Sequence, residues 1–224
     1  MSIVRNKCIK NNILIIGHPG TGKTTLVEAY AIYNNLNNIF VVECAKLIQN
    51  TELRGSFEEK IVELIKFAKK MQLELFFDEI HTLIDLGKSL GGISITDILK
   101  PYLLDSNIHF IGATTKAEVM LLMGDSAFKR RFSIVSLGEP SIEELIAIKN
   151  NFERNIIKNK IFSDELTVRV IEDLNKKLQN NYFPDKLVDF MDYVFAYHIT
   201  MNINLCDELC LELLEEYIND QKLE

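Results

Sequence analysis

The chain has 224 residues, 47% hydrophobic and 25% charged. That is the composition of a folded protein able to bury a core, sized for one domain or a domain with a small appendage, and it excludes a disordered tail. A formal net charge of -7 and a pI near 5.3 disfavour the basic surface that a nucleic-acid backbone requires.

At the N-terminus Arg5, Lys7 and Lys10 precede only a short apolar run ending at Gly17. It is too brief for a signal core or a membrane span, so a cytoplasmic location without membrane contact is expected. The run 13–16 is continuously apolar and leads into Gly17-His18-Pro19-Gly20-Thr21-Gly22-Lys23-Thr24-Thr25, with a helical pattern from Thr24 onward. A glycine-rich turn between a strand and a helix lets backbone N–H groups wrap an anion, and the helix start adds its dipole. In the G-x-x-x-x-G-K-[ST] pattern, Lys23 reaches the β- and γ-phosphates and the Thr24 hydroxyl holds Mg²⁺, while Thr25 supports the turn.

Further apolar runs follow at 39–42, 73–77, 108–113 and 132–135. Such runs, separated by helical patterns, predict a five-stranded parallel sheet covered by helices on both faces, an α/β fold of the P-loop NTPase kind. Between the second and third runs, Phe57, Ile61, Leu64, Ile65 and Ala68 recur at helical spacing, and Ser56 with Glu59 reads as a capping box.

The third run ends in Asp78-Glu79. An acidic pair at a strand end could cap a helix, but downstream of a phosphate loop Asp78 is the carboxylate that holds magnesium through water, and Glu79 polarises the attacking water. The fourth run ends in Thr114-Thr115, where a hydroxyl could orient that water and sense the γ-phosphate.

After residue 135 strand signals cease, and Glu139-Pro140 precedes a second capping box, Ser141 with Glu144. Helices are expected over roughly 141–158, 163–179, 184–198 and 206–219. The predicted division is an α/β nucleotide-binding core at 1–138 and a small all-helical lid at 139–224. Cys8, Cys44, Cys206 and Cys210 are too scattered for a disulfide framework. Cys206 and Cys210 share a helical face with His198 upstream, but no second ligand pair stands at tight spacing, so packing or idle thiols is the preferred reading over a metal site.

The series "GHPGTGKTTLVEAYA", "LRGSFEEKI", "FFDEIHTLI", "DILKPYL", "IGATT", "SAFKRRF", "GEPSIEELIAI" and "FPDKLVDFMD" resembles, along nearly the whole chain, the AAA+ ATPases. The likeness is to the first nucleotide-binding module of Clp-type unfoldases and disaggregases. It implies an ATP-driven ring, usually a hexamer of this chain or with related subunits, acting on a protein client. Arg130 and Arg131 match that family's arginine fingers, although by composition an adjacent pair is an ordinary solvated surface. Lys186 matches the basic position of the sensor-two element that packs over the nucleotide.

Two departures stand beside the matches. Leu53 occupies the position of a substrate-gripping aromatic in the first pore loop, which weighs against threading. The second pore loop falls in "LGKSLGGIS", where Gly87, Gly91 and Gly92 suggest mobility. Only sixteen residues precede Gly17, which leaves the adenine pocket open, completed by another chain, or lost with a missing segment. The alternative reading is a nucleotide-gated interaction module that binds ATP with slow or lost turnover. A DNA-associated loader or helicase is disfavoured by the acidic balance.

Overall fold

A computed structural model describes residues 1, 10–48, 54–83, 95–124 and 126–222. Leu53, Gly87, Gly91, Gly92 and Cys8 lie outside the described residues. The chain divides into two compact units: Met1–His18 with Lys23–Leu137, and Gly138–Glu224 with Pro19–Gly22.

The first unit is built on a five-stranded parallel sheet of order β2-β3-β4-β1-β5. The strands are β1 (Asn12–Ile16), β2 (Ile39–Val42), β3 (Glu74–Phe77), β4 (Phe110–Thr114) and β5 (Phe132–Ser136). Strand β1 runs between β4 and β5, with Ile16 in register with Thr114 on one side and Ser136 on the other. It is buried along its whole length, so every side chain must be apolar or internally bonded. Asn12 meets that demand: its amide oxygen accepts the Phe110 N–H at 2.9 Å.

Side chains alternate between the two faces of the sheet. Leu14, Leu75, Phe77 and Phe110 join Phe57, Ile61 and Ile65 on one side. Ile13, Ile15, Phe76 and Ile111 join Val27 on the other. Among the described residues the covering helices include, in chain order, α1 (Lys23–Tyr33), α2 (Cys44–Ile48), α3 (Arg54–Met71), α4 (Ile95–Leu99), α5 (Val119–Met123) and α6 (Ser126–Arg131).

Helix α3 carries the predicted apolar stripe, with Phe57, Ile61, Ile65 and Ala68 all buried. Its span is Arg54–Met71, so Ser56 lies within the helix and not at the flanking position that a capping residue occupies. A serine and a glutamate three residues apart occur within helices as well as at their starts, and spacing alone could not tell the two cases apart.

The second unit is helical: α7 (Ile142–Phe152), a π-helical turn (Glu153–Ile157), α8 (Asp164–Lys177), α9 (Asp185–Met201) and α10 (Asp207–Gln221). The Ser141 capping box is present, with Glu144 N–H donating to Ser141 Oγ at 3.3 Å and Ser141 N–H to Glu144 Oε2 at 2.8 Å. The single helix expected to about residue 158 instead gives way to the π turn at Glu153. There the Lys158 N–H reaches the Glu153 carbonyl at 2.6 Å and Lys158 closes the turn at φ 59. Among the described residues no helix is long and apolar enough to cross a membrane.

Candidate active site

Strand order places the carboxyl ends of β1, β3 and β4 side by side, where parallel sheets gather ligands. The segment leaving β1 is anchored by the Gly17 N–H, which donates to the Thr114 carbonyl at 3.2 Å. Gly20 and Gly22 adopt φ +72 and +83, a region that costs a side chain roughly 1–2 kcal/mol. Around them His18 is half-buried, Pro19 exposed, Thr21 buried and Thr25 exposed.

Lys23 opens α1, and its ammonium donates to the carbonyls of Gly17 at 3.2 Å and His18 at 2.9 Å. Burial lowers its pKa from the ordinary lysine range, and the carboxylates of Asp78, Glu79 and Glu118 oppose that shift. The next residue, Thr24, donates its hydroxyl to Asp78 Oδ2 at 2.7 Å. A hydroxyl and a carboxylate oxygen side by side are the hard donors that suit Mg²⁺, which takes a few protein oxygens and keeps several waters. The donor set therefore fits the ion.

Glu79 stands exposed at the end of β3 with φ +51, an uncommon conformation for a residue with a side chain. Its backbone is over-determined by its neighbours. Its N–H donates to Asp78 Oδ1 at 3.1 Å, and its carbonyl accepts both the Thr82 hydroxyl and the Thr82 N–H at 2.9 Å. On either side, the Cys44 thiol donates to the Asp78 carbonyl at 3.1 Å and the Ile80 N–H to the Ala113 carbonyl at 3.0 Å. Burial pushes the Cys44 thiol up to about 12, so it acts as a neutral pin. A cleft of about 370 Å³ opens beside the pair, lined by Val41, Val42, Glu43, Cys44, Asp78, Glu79 and Thr82.

Gly112 permits this closeness, because a Cβ there would come within 3.0 Å of Leu14 Cδ1 and 3.2 Å of Ile80 Cδ1. Thr115 follows β4, and its hydroxyl donates to Glu118 Oε2 at 2.7 Å. The same oxygen lies 3.0 Å from His81 Nδ1. Desolvation pushes the Glu118 carboxyl up, but the Thr115 hydroxyl and N–H, with the His81 ring, outweigh it and hold the group below its usual range. Neither Glu118 nor His81 was singled out by sequence reasoning. A Thr-x-x-Glu spacing at Thr115–Glu118 was the signal available.

Lys23, Thr24, Asp78, Glu79 and Thr115 are thus gathered at one end of the sheet. Arg130 is exposed and Arg131 half-buried at the end of α6, with the Arg131 carbonyl accepting from Asn12 Nδ2 at 3.4 Å. Lys186, in the helical unit, is 2% exposed. Its ammonium donates to the carbonyls of Asn181 at 3.0 Å and Leu178 at 3.3 Å and sits 4.1 Å above the Phe183 ring centroid. Burial lowers its pKa, opposed by Glu139. Near the C-terminus the Cys210 thiol is buried and donates to the Ile161 carbonyl, Cys206 is exposed, and His198 Nδ1 lies against the Ile203 carbonyl.

Residues 13–137 match the family described as "ATPase family associated with various cellular activities (AAA)". The chain is 36% identical over 203 residues to the ATP-dependent Clp protease ATP-binding subunit ClpE of Bacillus subtilis, covering 84% of this chain and 29% of that protein. To the chaperone protein ClpB of Lactiplantibacillus plantarum it is 35% identical over 210 residues, covering 87% and 24% respectively. It therefore spans under a third of the length of either relative. A closed-state structure of Hsp104 with ATPγS and FITC-casein aligns with a TM-score of 0.80 at 26% identity, covering 97% of this chain and 40% of that one. The extended S. cerevisiae Hsp104–casein complex aligns at 0.72 with 27% identity, covering 91% and 37%.

Proposed function

The chain belongs to the AAA family of ATPases, and on that premise we propose that it is a Mg-ATP-hydrolysing module of a Clp-type protein-remodelling ring. The core at 1–138 holds the nucleotide and the helices at 139–224 form its lid. The work is cytoplasmic, on a protein client, in a ring of six copies or of this chain with a related subunit.

One observation carries the reading: the Thr24 hydroxyl 2.7 Å from Asp78, with Glu79 next along the chain in a backbone conformation that its neighbours enforce. In this reading Lys23 exchanges the Gly17 and His18 carbonyls for phosphate oxygens, and Gly17 to Thr25 supply the cradle. Thr24 and Asp78 hold the magnesium, which when bound neutralises phosphate charge. Glu79 takes the proton of the attacking water. Arg130 or Arg131 reaches the site of a neighbouring subunit, where a planar guanidinium suits the charge on a transferring phosphoryl group. Lys186 is the basic member of the lid, and reaching nucleotide would require it to release its two carbonyl partners.

The test is steady-state ATP hydrolysis against protein concentration. The rate per chain should rise with concentration. Glu79→Gln should lower kcat by about 10²–10⁴-fold while ATP still binds, and Arg131→Ala by about 10³-fold or more. Turnover that is independent of concentration and indifferent to Arg131→Ala removes the ring. Tight ATP binding with no turnover at high concentration selects the nucleotide-gated interaction module instead.

A further inference from the structure

A single carboxylate oxygen, Glu118 Oε2, gathers donors from two separate segments. It accepts the Thr115 hydroxyl at 2.7 Å and the Thr115 N–H at 3.3 Å, and it lies 3.4 Å from the Thr114 hydroxyl. His81 Nδ1, two residues beyond Glu79 where the turn after β3 gives way to helix, is 3.0 Å away, and 3.3 Å from Thr114 Oγ1. Part of this is local to the turn before α5: the Glu118 N–H returns toward Thr115 Oγ1 at 3.4 Å, while Glu118 stands at the N-cap of α5 and makes no side-chain cap bond. That local pairing needs nothing from another segment, however, and the His81 contact lies outside it. The carboxylate straps the end of β4 to the turn that bears Glu79.

A threonine hydroxyl has one proton and two lone pairs. Here the proton is committed to an anionic acceptor at a short distance, one lone pair faces the Glu118 N–H, and the other remains for anything else. Resting on the ATPase reading above, we infer that Glu118 and His81 are positioning residues that keep the Thr115 proton turned away. Thr115 then enters turnover as the hydrogen-bond acceptor that aims the attacking water, not as a donor to the γ-phosphate. Aim is sensitive to displacement: a 1 Å misplacement can cost about 10²-fold. An acceptor for water leaves ATP affinity untouched, whereas a donor to phosphate would contribute to it.

The experiment measures kcat, KM and, in the Glu79→Gln background, ATP and ADP binding for Glu118→Ala, Glu118→Gln, His81→Phe and Thr115→Val. Glu118→Ala should lower kcat about 10–100-fold, with ATP affinity changed less than about twofold. Glu118→Gln, whose amide oxygen still accepts, should stay within about threefold of wild type. His81→Phe, which leaves the Thr115–Glu118 pairing intact, should lose several-fold in kcat, and Glu118→Ala should add no further loss in a Thr115→Val background. Should the alanine variant not fold, Glu118→Met, of similar length and without an acceptor, takes its place.

Unchanged kcat in Glu118→Ala and His81→Phe, a loss confined to melting temperature, or a selective loss of ATP over ADP affinity each overturns the inference. Wild type and Glu79→Gln run in parallel separate the two levels. If wild type does not turn over, the ATPase reading itself fails. If it does, and Glu79→Gln abolishes turnover while Glu118→Ala is normal, only the strap is wrong.

Discussion

Replacing Lys149 by methionine tests how the helical unit is held together. The Lys149 side chain is 0% exposed, and its ammonium donates to the Phe162 carbonyl at 2.9 Å and pairs with Glu153 Oε2 at 3.0 Å and Asp164 Oδ1 at 3.1 Å. Methionine keeps the apolar stem and deletes the charge. Removing one partner of a buried ion pair costs about 3–5 kcal/mol, because the other charge is left uncompensated. Two features put Lys149→Met at the low end. Glu153 Oε1 keeps the Ile161 N–H at 2.8 Å, and the Asp164 side chain is 56% exposed, so water takes over its share.

The expected loss is about 3 kcal/mol, which for a chain of this size lowers the melting temperature by roughly 6–12 °C. The second arm is Lys149→Met with Glu153→Gln, which removes the stranded charge and keeps an acceptor for Ile161. It should recover at least half of the loss in thermal unfolding followed by circular dichroism. A single variant that melts within about 2 °C of wild type, or a double variant no better than the single, refutes the claim that this ion pair fastens residues 158–164 to α7.

Acid sensitivity should reside partly at Asp207. Its carboxylate accepts the Ser163 hydroxyl at 2.6 Å and the Ser163 N–H at 3.1 Å, and these bonds hold its pKa below the ordinary value. A depressed carboxyl stabilises the fold above its unfolded pKa and loses that contribution as pH falls through the folded one. The melting-temperature gap between wild type and Asp207→Asn should therefore narrow from about pH 5 to pH 3. For the thiols, burial raises Cys44 and Cys210 to about 12 while Cys206 is exposed. Iodoacetamide on the native protein, read by peptide mass, should label Cys206 and spare Cys44 and Cys210 until denaturant is added.

The five strands were legible because a sheet buried on both faces admits only unbroken apolar runs, and 13–16 and 132–135 differ from β1 and β5 by a residue at an end. Strand order was not legible, since each run looks alike whichever neighbours it has. Strand β2 shows how little a run says of its place: Phe40 and Val41 are 42% and 49% exposed at the sheet edge. The phosphate loop, Asp78 and Glu79 announced themselves through spacing. Glu118 and His81 did not, because their roles come from one oxygen shared between segments more than thirty residues apart in the chain. Lys149 was hidden for a similar reason: on a helical stripe it reads as an exposed base, and only the fold brings Asp164 and the Phe162 carbonyl to it.

The candidate site separates what is fixed from what is exchangeable. Around Glu79 the bonds that set the backbone run to Thr82, Ala113 and, through Asp78, to Cys44, none of which a nucleotide would replace. The side chains meant to meet a nucleotide, in contrast, satisfy one another: Lys23 on its own loop carbonyls and Thr24 on Asp78. Binding under the proposed function would trade those contacts nearly one for one, so the net gain must come from charge. A desolvated ammonium, with its pKa lowered by burial, has most to gain from a polyanion. ATP affinity should accordingly depend far more on Lys23 than on Thr24, and Glu79→Gln should lower turnover while leaving that affinity in place.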